Sequence, residues 1–310
     1  MKFMISGATG CIGFSLVQKL MQNGHDIYVL LNPQSSRNSV IEQFIGVKKK
    51  YVSLGDYAQL NIDETVDAFI HMAWRGGTSR NDFETNQWSS FQSVEAIKLA
   101  SRLGCKKFIS LGSQAEYGLT NEIINEELLC TPNTEFGIAK LNTYFRLKNF
   151  SERNAMQFAW LRVLSAYGRY DRDSSMLSTV IMSHLSNKEM GLSDCSQNWD
   201  FLHADDVAEA ILKLSIMNIQ SSLYVIGSDE HRTLKEYIEE LCAALGASPT
   251  KLIGKINLEK DTVVNLRCDS SRLREHTGWV PVMNFQKGIG DLVSWHRSRA
   301  HHACYSYSPL

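Results

Sequence analysis

Apolar residues fall into short runs separated by longer stretches of helical period. Residues 3–5 form a buried run of strand length. From Ile12 the pattern turns helical: Phe14, Leu16, Val17, Leu20 and Met21 share a face, and Gly24 marks the stop. Residues 27–31, 51–54, 69–73, 107–111 and 158–164 read as further strands. Residues 83–103 read as one long helix with Phe91, Val94, Ile97 and Leu103 on one side, and residues 135–153 as another. Strands alternating with helices predict an α/β fold with a doubly wound parallel sheet, whose ligands lie beyond the carboxyl ends of the strands. Gly7, Asp56, Ala73 and Trp74 fall at those ends. Residues 176–184, 208–214 and 234–245 read as helices of a second part. The division expected is a dinucleotide-binding domain over 1–165 and a mainly substrate-binding lobe over 166–310, with segments returning to the main sheet.

The first crossover carries the clearest chemistry. Gly7, Gly10 and Gly13 recur every third residue between a strand and a helix. Glycines let the backbone approach a pyrophosphate, and the free N–H groups and dipole of the helix start attract its charge. Thr9, Cys11 and Ile12 belong to the same cradle. The spacing is GxxGxxG rather than GxGxxG, so its position after a strand carries the reading.

The second strand ends in Asn32-Pro33-Gln34-Ser35-Ser36-Arg37. No carboxylate stands there to bind the adenosine ribose or to repel a 2′-phosphate. Asn32, Ser35, Ser36 and Arg37 are therefore expected on the cofactor, with NADP favoured and NAD possible. His71 sits within an apolar strand and reads as a satisfied core histidine.

Composition narrows the classes. The chain has 310 residues, 44% hydrophobic, with a net charge of −1. That gives no footprint for nucleic acid or anionic membrane, and Lys48-Lys49-Lys50 reads as a solvated turn. The seven cysteines include no CxxC pair, which fits reduced thiols and a cytoplasmic setting. Glycines interrupt the N-terminal apolar run too early for a signal peptide, and no run approaches a membrane span. His203, Asp205 and Asp206 are expected at a strand end and helix cap, and no metal site is expected. The tail from Arg299, with its adjacent histidines, shows no period and is expected to be loosely held.

Several segments together resemble the extended short-chain dehydrogenase/reductases of the nucleotide-sugar epimerase/dehydratase family. They are Gly7-Ala-Thr-Gly-Cys-Ile-Gly13, Leu161-Arg-Val-Leu-Ser-Ala-Tyr-Gly168, Asp200-Phe-Leu-His-Ala-Asp-Asp-Val207, Tyr224-Val-Ile-Gly-Ser228 and Gly278-Trp-Val-Pro281. The resemblance spans nearly the whole chain and implies a Rossmann-type fold, a nicotinamide cofactor, a nucleotide-diphosphate sugar as substrate and a homodimer paired through the two long helices. It implies cofactor contacts at Asp56, Tyr57, Ala73, Trp74, Asn86, Lys140 and Val163. It implies substrate contacts at Gln114, Tyr117, Ser165, Tyr167, Trp199 and Arg267, the last resembling a diphosphate-binding arginine. Many members carry another arginine where Trp199 stands.

In such enzymes a tyrosine in a Tyr-x-x-x-Lys helix exchanges a proton with the sugar oxygen, a lysine tunes it and a serine bonds the same oxygen. Ser113 and Lys140 match the serine and the lysine, but the tyrosine position holds Phe136. Tyr144 lies two turns further along, about 12 Å at ~1.5 Å per residue, too far to substitute. Phe136 keeps the ring and removes the hydroxyl, as an inactivating Tyr→Phe change would. A natural variant using Ser113 or water stays open. Gln114 and Ala115 stand where the resembling dehydratases carry an Asp-Glu pair, which disfavours dehydration. Glu116 is expected to turn away from the pocket. What remains is NADPH-dependent reduction of a nucleotide-linked 4-keto sugar. The alternatives are a 4-epimerase with retained NAD and a redox-silent nucleotide-binding regulator, which would not need both Ser113 and Lys140.

Overall fold

The computed structural model describes residues 1–75, 79–218, 220–257 and 265–305. Its first half runs β1 (Lys2–Ser6), α1 (Cys11–Gln22), β2 (Asp26–Leu31), α2 (Ser39–Glu42), β3 (Lys48–Tyr51), β4 (Ala68–His71), α3 (Phe83–Arg102), β5 (Lys107–Ser113), α4 (Glu135–Arg153) and β6 (Gln157–Val163). Its second half runs β7 (Ser165–Tyr167), α5 (Met176–Leu185), β8 (Asn198–Trp199), β9 (Phe201–His203), α6 (Ala204–Ile216), β10 (Ser222–Ile226), β11 (Arg232–Thr233), α7 (Leu234–Leu245), α8 (Ser271–Thr277) and α9 (Phe285–Tyr305).

The main sheet is parallel, in the order β10-β6-β5-β4-β1-β2-β3. It is a Rossmann-type doubly wound α/β fold. β1 lies between β2 and β4, so the chain winds outward from it in both directions. The loops after β1 and β4 diverge there and leave a crevice at the strand ends. The central strands are apolar on both faces because helices cover both. Phe3, Ile5, Val29 and Ile70 pack under α1 and α6, while Met4, Phe69 and Phe108 pack under α3 and α4. A third core, built from Tyr167, Ile181, Tyr237, Leu241, Phe285 and Ile289, holds the C-terminal lobe together.

Three expectations on elements need correcting. The lysine triplet is not a turn: it forms β3 itself, and residues 54–56 form a 3₁₀ turn where the strand was expected. β3 is an edge strand. Its backbone pairs with β2 while its lysines stay largely exposed, a charged edge that discourages further pairing. The helix expected at 208–214 begins at Ala204, capped by His203, whose Nδ1 accepts the Asp205 N–H at 3.2 Å. The tail is helical to Tyr305 as the end of α9, and residues 306–310 lie outside the described residues. β10 joins the main sheet beside β6 and α6 lies against α1, so this stretch of the second half does return to the first.

His71 is enclosed as expected. Its Nδ1 meets Ser6 Oγ at 2.7 Å and its Nε2 meets Ser93 Oγ at 3.0 Å. Burial, with Lys140 nearby, brings it down to about 3, so the ring is neutral. Asp206 accepts the N–H groups of Val282 and Met283, each at 3.0 Å, and acts as a structural tie. Among the described residues no cluster could hold a metal, and no helix is long and apolar enough to cross a membrane.

Candidate functional site

One large groove of about 1500 Å³ opens along the carboxyl ends of β1, β2, β4, β5 and β6. Typical single-ligand pockets hold roughly 300–1,000 Å³, so this one has room for two molecules end to end.

The β1–α1 turn forms one wall. Gly7 has φ +78°, and a Cβ there would stand 2.7 Å from the backbone of Met72 and Ala73. A Cβ on Gly13 would overlap the Gly7 carbonyl. Both glycines are therefore demanded by the protein's own backbone. Gly10 is different, because its nearest neighbour would be the Gly7 carbonyl at 3.7 Å. Nothing in the chain forbids a side chain at Gly10; only something entering the groove would. Gly10 caps α1 without a side-chain bond, and no acidic residue stands in the first turn. The helix start thus presents unclaimed N–H groups and its positive dipole end to the groove. Burial pushes the Cys11 thiol up to about 12, so no thiolate opposes an anion. These features fit a dinucleotide pyrophosphate, with Gly7, Thr9, Gly10, Cys11 and Ile12 lining the place. Gly13 is buried in the turn and acts by shape alone.

Beside this cradle lie Asn32, Ser35, Arg37, Asp56 and Tyr57, all lining the groove, whereas Ser36 does not. The Arg37 Nη2 group donates to the Thr9 carbonyl at 2.8 Å and to the Tyr170 carbonyl, tying the glycine turn to the lobe. The Ser35 Oγ accepts the Arg37 N–H at 3.2 Å. Tyr57 is almost wholly enclosed, and burial raises its hydroxyl above the ordinary range.

The far end of the groove is crowded. Lys140, on α4, is buried; its Nζ donates to the Leu111 carbonyl at 2.8 Å. It lies 4.0 Å over the Trp74 indole and 5.8 Å from the Phe136 ring centroid. Burial brings this amine down to about 7, with Glu116 pulling the other way. Trp74 and Phe136 meet edge to face at 6.0 Å. Ser113 ends β5. Its hydroxyl donates to the Gln114 side-chain oxygen at 2.7 Å and accepts the Ala115 N–H at 3.2 Å. Ala73, Ser113, Gln114, Phe136, Lys140, Val163, Ser165 and Trp199 all line this end.

Glu116 is turned away, as expected, and the reason is a buried ion pair. Its carboxylate accepts Arg162 Nε at 2.6 Å, Trp160 Nε1 at 3.1 Å and the Ser113 N–H at 2.9 Å. Arg162 also donates to the Tyr117 hydroxyl at 2.9 Å.

Besides Ser36 and Gly13, three more expected contacts fall outside the groove. Asn86 is wholly enclosed: its amide nitrogen donates to the Ser79 and Asp82 carbonyls and its oxygen accepts Trp74 Nε1 at 3.1 Å. It braces Trp74 rather than facing the cavity. Tyr117 is held inside by Arg162 and by the Asn125 carbonyl at 2.7 Å. Arg267 donates to the Asn121 carbonyl on another surface. Tyr167 does line the groove, but its hydroxyl is turned toward Gly288 of α9. Sequence reading missed Arg80, Tyr170, Asp171 and Arg172, which also line the groove. Arg80 follows a glycine pair and the others follow a strand end, and neither context announces a site.

Residues 3–227 match the model of the NAD dependent epimerase/dehydratase family. The chain belongs to that family. Among curated relatives, the dTDP-glucose 4,6-dehydratase of Neisseria meningitidis serogroup B is 21% identical over 95% of this chain and 93% of its own length. Among solved structures, the UDP-glucose 4-epimerase of Thermotoga maritima with UDP-glucose superposes with a TM-score of 0.87 at 20% identity, covering 97% of this chain and all of the other. The UDP-glucuronic acid 4-epimerase of Bacillus cereus, in complex with UDP-glucuronic acid and NAD, gives 0.84 at 19% identity over 96% of this chain.

Proposed function

We propose that the protein reduces a nucleotide-linked 4-keto sugar with NADPH, and that Phe136 impairs the proton step. The observation that carries this reading is the set of side chains around Ser113. Gln114, Ala115 and the ion-paired Glu116 put no free carboxyl group next to Ser113, so removal of water is not supported. Ser113 and Lys140 remain to handle a developing alkoxide. The cradle residues Gly7, Thr9, Gly10, Cys11 and Ile12 would hold the cofactor's pyrophosphate, with Asn32, Ser35, Arg37, Asp56 and Tyr57 on its adenosine side and Ala73, Trp74 and Val163 beyond. When bound, that cofactor supplies the hydride.

The protein's own part is orientation and charge. Ser113, whose hydroxyl bonds the Gln114 side chain, would turn that proton to the sugar oxygen, and Lys140, when protonated, would bring positive charge to a desolvated corner, where it counts for more than in water. The preference for NADP rests on the missing carboxylate after β2. A second reading, a 4-epimerase with retained NAD, is supported by the NAD carried by the Bacillus cereus enzyme. We also infer a homodimer through α3 and α4, where Phe83, Phe91 and Phe145 are exposed on outer faces.

The test is spectrophotometric. NADPH and NADH oxidation is followed with a panel of nucleotide-linked 4-keto-6-deoxy sugars, using this chain and its Phe136→Tyr variant. Stoichiometric oxidation, faster in the variant, supports the reductase. Interconversion of 4-epimers without net cofactor use would replace it with the epimerase.

A further inference from the structure

The turn that carries Ser113 is tied to the protein interior. Ser113 ends β5 and opens the 3₁₀ turn Gln114–Glu116. Its hydroxyl bonds within that turn, to Gln114 and Ala115, so the turn sets where the hydroxyl lies. Glu116 reaches back to accept the Ser113 N–H at 2.9 Å. Arg162 Nη1 donates at 2.9 Å to the hydroxyl of Tyr117, the residue that follows the turn. The Ala115 carbonyl lies so close to α4 that a Cβ on Gly137 would stand 2.2 Å from its oxygen. The first two of these anchors meet in one buried ion pair, Arg162 Nε to Glu116 at 2.6 Å.

The pair is built into the sheet. Gly112 and Arg162 are partners in the β5–β6 register. A Cβ on Gly112 would stand 2.3 Å from Trp160 Nε1 and 2.5 Å from Glu116 Oε1, so the strand passes directly over the carboxylate. Trp160 Nε1 donates to both oxygens of that carboxylate, at 3.1 and 3.2 Å. Glu116 is wholly enclosed. Buried pairs are often no more stabilising than apolar residues of the same volume, so stability alone gives no reason for one here.

The neighbouring amine does. Lys140 Nζ lies 5.9 Å from the Trp160 ring centroid and donates to the carbonyl of Leu111, the residue before Gly112. Desolvation works against charge on Lys140, and the Glu116 carboxylate opposes it. The other charged or titratable groups around it are Arg162 from β6, paired to Glu116; His71 from β4, which is neutral; and Arg80 before α3, which lies against the Phe136 ring. α3 itself meets α4 through Ser90 and Thr143, whose hydroxyls bond at 2.7 Å.

We propose that Glu116 is a positioning residue for the reaction: it fixes the Ser113 hydroxyl through the Ser113 N–H and supplies the counter-charge that keeps Lys140 cationic. The proposal rests on reading this end of the groove as the place where the sugar oxygen gains its proton. One buried carboxylate then serves both groups left beside that oxygen without touching the substrate.

Glu116→Gln and Glu116→Asp separate the two roles. Glutamine keeps the length and an acceptor oxygen but removes the charge; aspartate keeps the charge but shortens the reach to Ser113. Both are compared with the parent after near-ultraviolet circular dichroism shows them folded. The Lys140 titration is followed by NMR of lysine labelled with carbon-13 at Cε, its signal assigned by its absence from Lys140→Arg. In Glu116→Gln the midpoint should move down by about half a pH unit or more, because the ammonium has lost its counter-charge. In Glu116→Asp it should stay near the parent's. Turnover with NADPH should fall roughly tenfold or more in both variants with KM within about twofold, since a misplaced donor weakens the transition state rather than binding. An unmoved Lys140 midpoint in Glu116→Gln would overturn the proposal, as would turnover within about twofold of the parent's in Glu116→Asp. So would a parent midpoint at the ordinary lysine value of 10.5, because Lys140 would then need no counter-charge. If the parent turns over no sugar, the reductase reading falls and the midpoint still decides: a shift in Glu116→Gln supports the tie between Glu116 and Lys140, and no shift overturns it.

Discussion

Between β1 and α1 the groove selects by the absence of side chains; between β5 and α4 it selects by their crowding. In the cradle, Gly7 and Gly13 are required by neighbouring backbone, and Gly10 leaves a space that the chain does not fill. At the other end, Trp74, Phe136 and Trp160 surround the buried Lys140 amine, and Arg80 lies against the Phe136 ring. The first kind of site depends on local geometry and tolerates almost no change. The second depends on which side chains distant segments bring together, so it changes identity without changing the fold. Phe136 stands at such a position: its ring sits on α4 with Lys140 one turn on.

Gly13→Ala forces a methyl into the Gly7 carbonyl, an overpacking of at least ~1–3 kcal/mol against rigid backbone. Dinucleotide binding should fall beyond calorimetric detection, with a lowered melting temperature; retained affinity would show that the turn is looser than its contacts imply. Glu116→Ala strands Arg162 without its partner and should cost ~3–5 kcal/mol in urea unfolding. A loss below ~1 kcal/mol would mean that water reaches the pair.

Phe136→Tyr would place an acid beside Lys140, a contribution typically worth roughly 10²–10⁴-fold, and should raise turnover at least tenfold in steady-state kinetics. No gain would count against Phe136 as a vacated acid position. Gly10→Ala sharpens the contrast within the cradle. Its melting temperature should match the parent's, because among the described residues the nearest atom beyond its chain neighbours is the Gly7 carbonyl oxygen at 3.7 Å, while cofactor affinity drops about tenfold.

The smallest effect is a tilt with pH. His71 has an ordinary value of 6.5 and is held near 3 when folded, so the unfolded chain binds more protons between those values. Stability is therefore lost as pH falls from about 6.5 toward 3. Comparing urea midpoints at pH 7 and pH 5, His71→Gln should flatten the difference. An unchanged slope would place the acid sensitivity elsewhere.

Much of this was legible in the sequence because it follows from short-range rules. The glycine spacing, the helical faces of α1 and α7 and the strand–helix alternation need only neighbouring residues to be read. β3 misled because three lysines read as solvated, and only its place at the sheet edge makes a charged strand acceptable. Tyr117 and Arg267 misled because their partners, Arg162 and Asn121, lie 45 and 146 residues away. Arg80 and Arg172 were invisible for the same reason: nothing near either one in the chain says that it will line the groove.

The reading of the groove as a redox site requires that the β1–α1 cradle bind a nicotinamide dinucleotide. Calorimetric titration of this chain with NADPH and with NADH tests it most directly. Saturable one-to-one binding in the micromolar range, lost in Gly13→Ala, is the result predicted. Absence of binding by either dinucleotide at millimolar concentration, in a protein folded by circular dichroism, would contradict it.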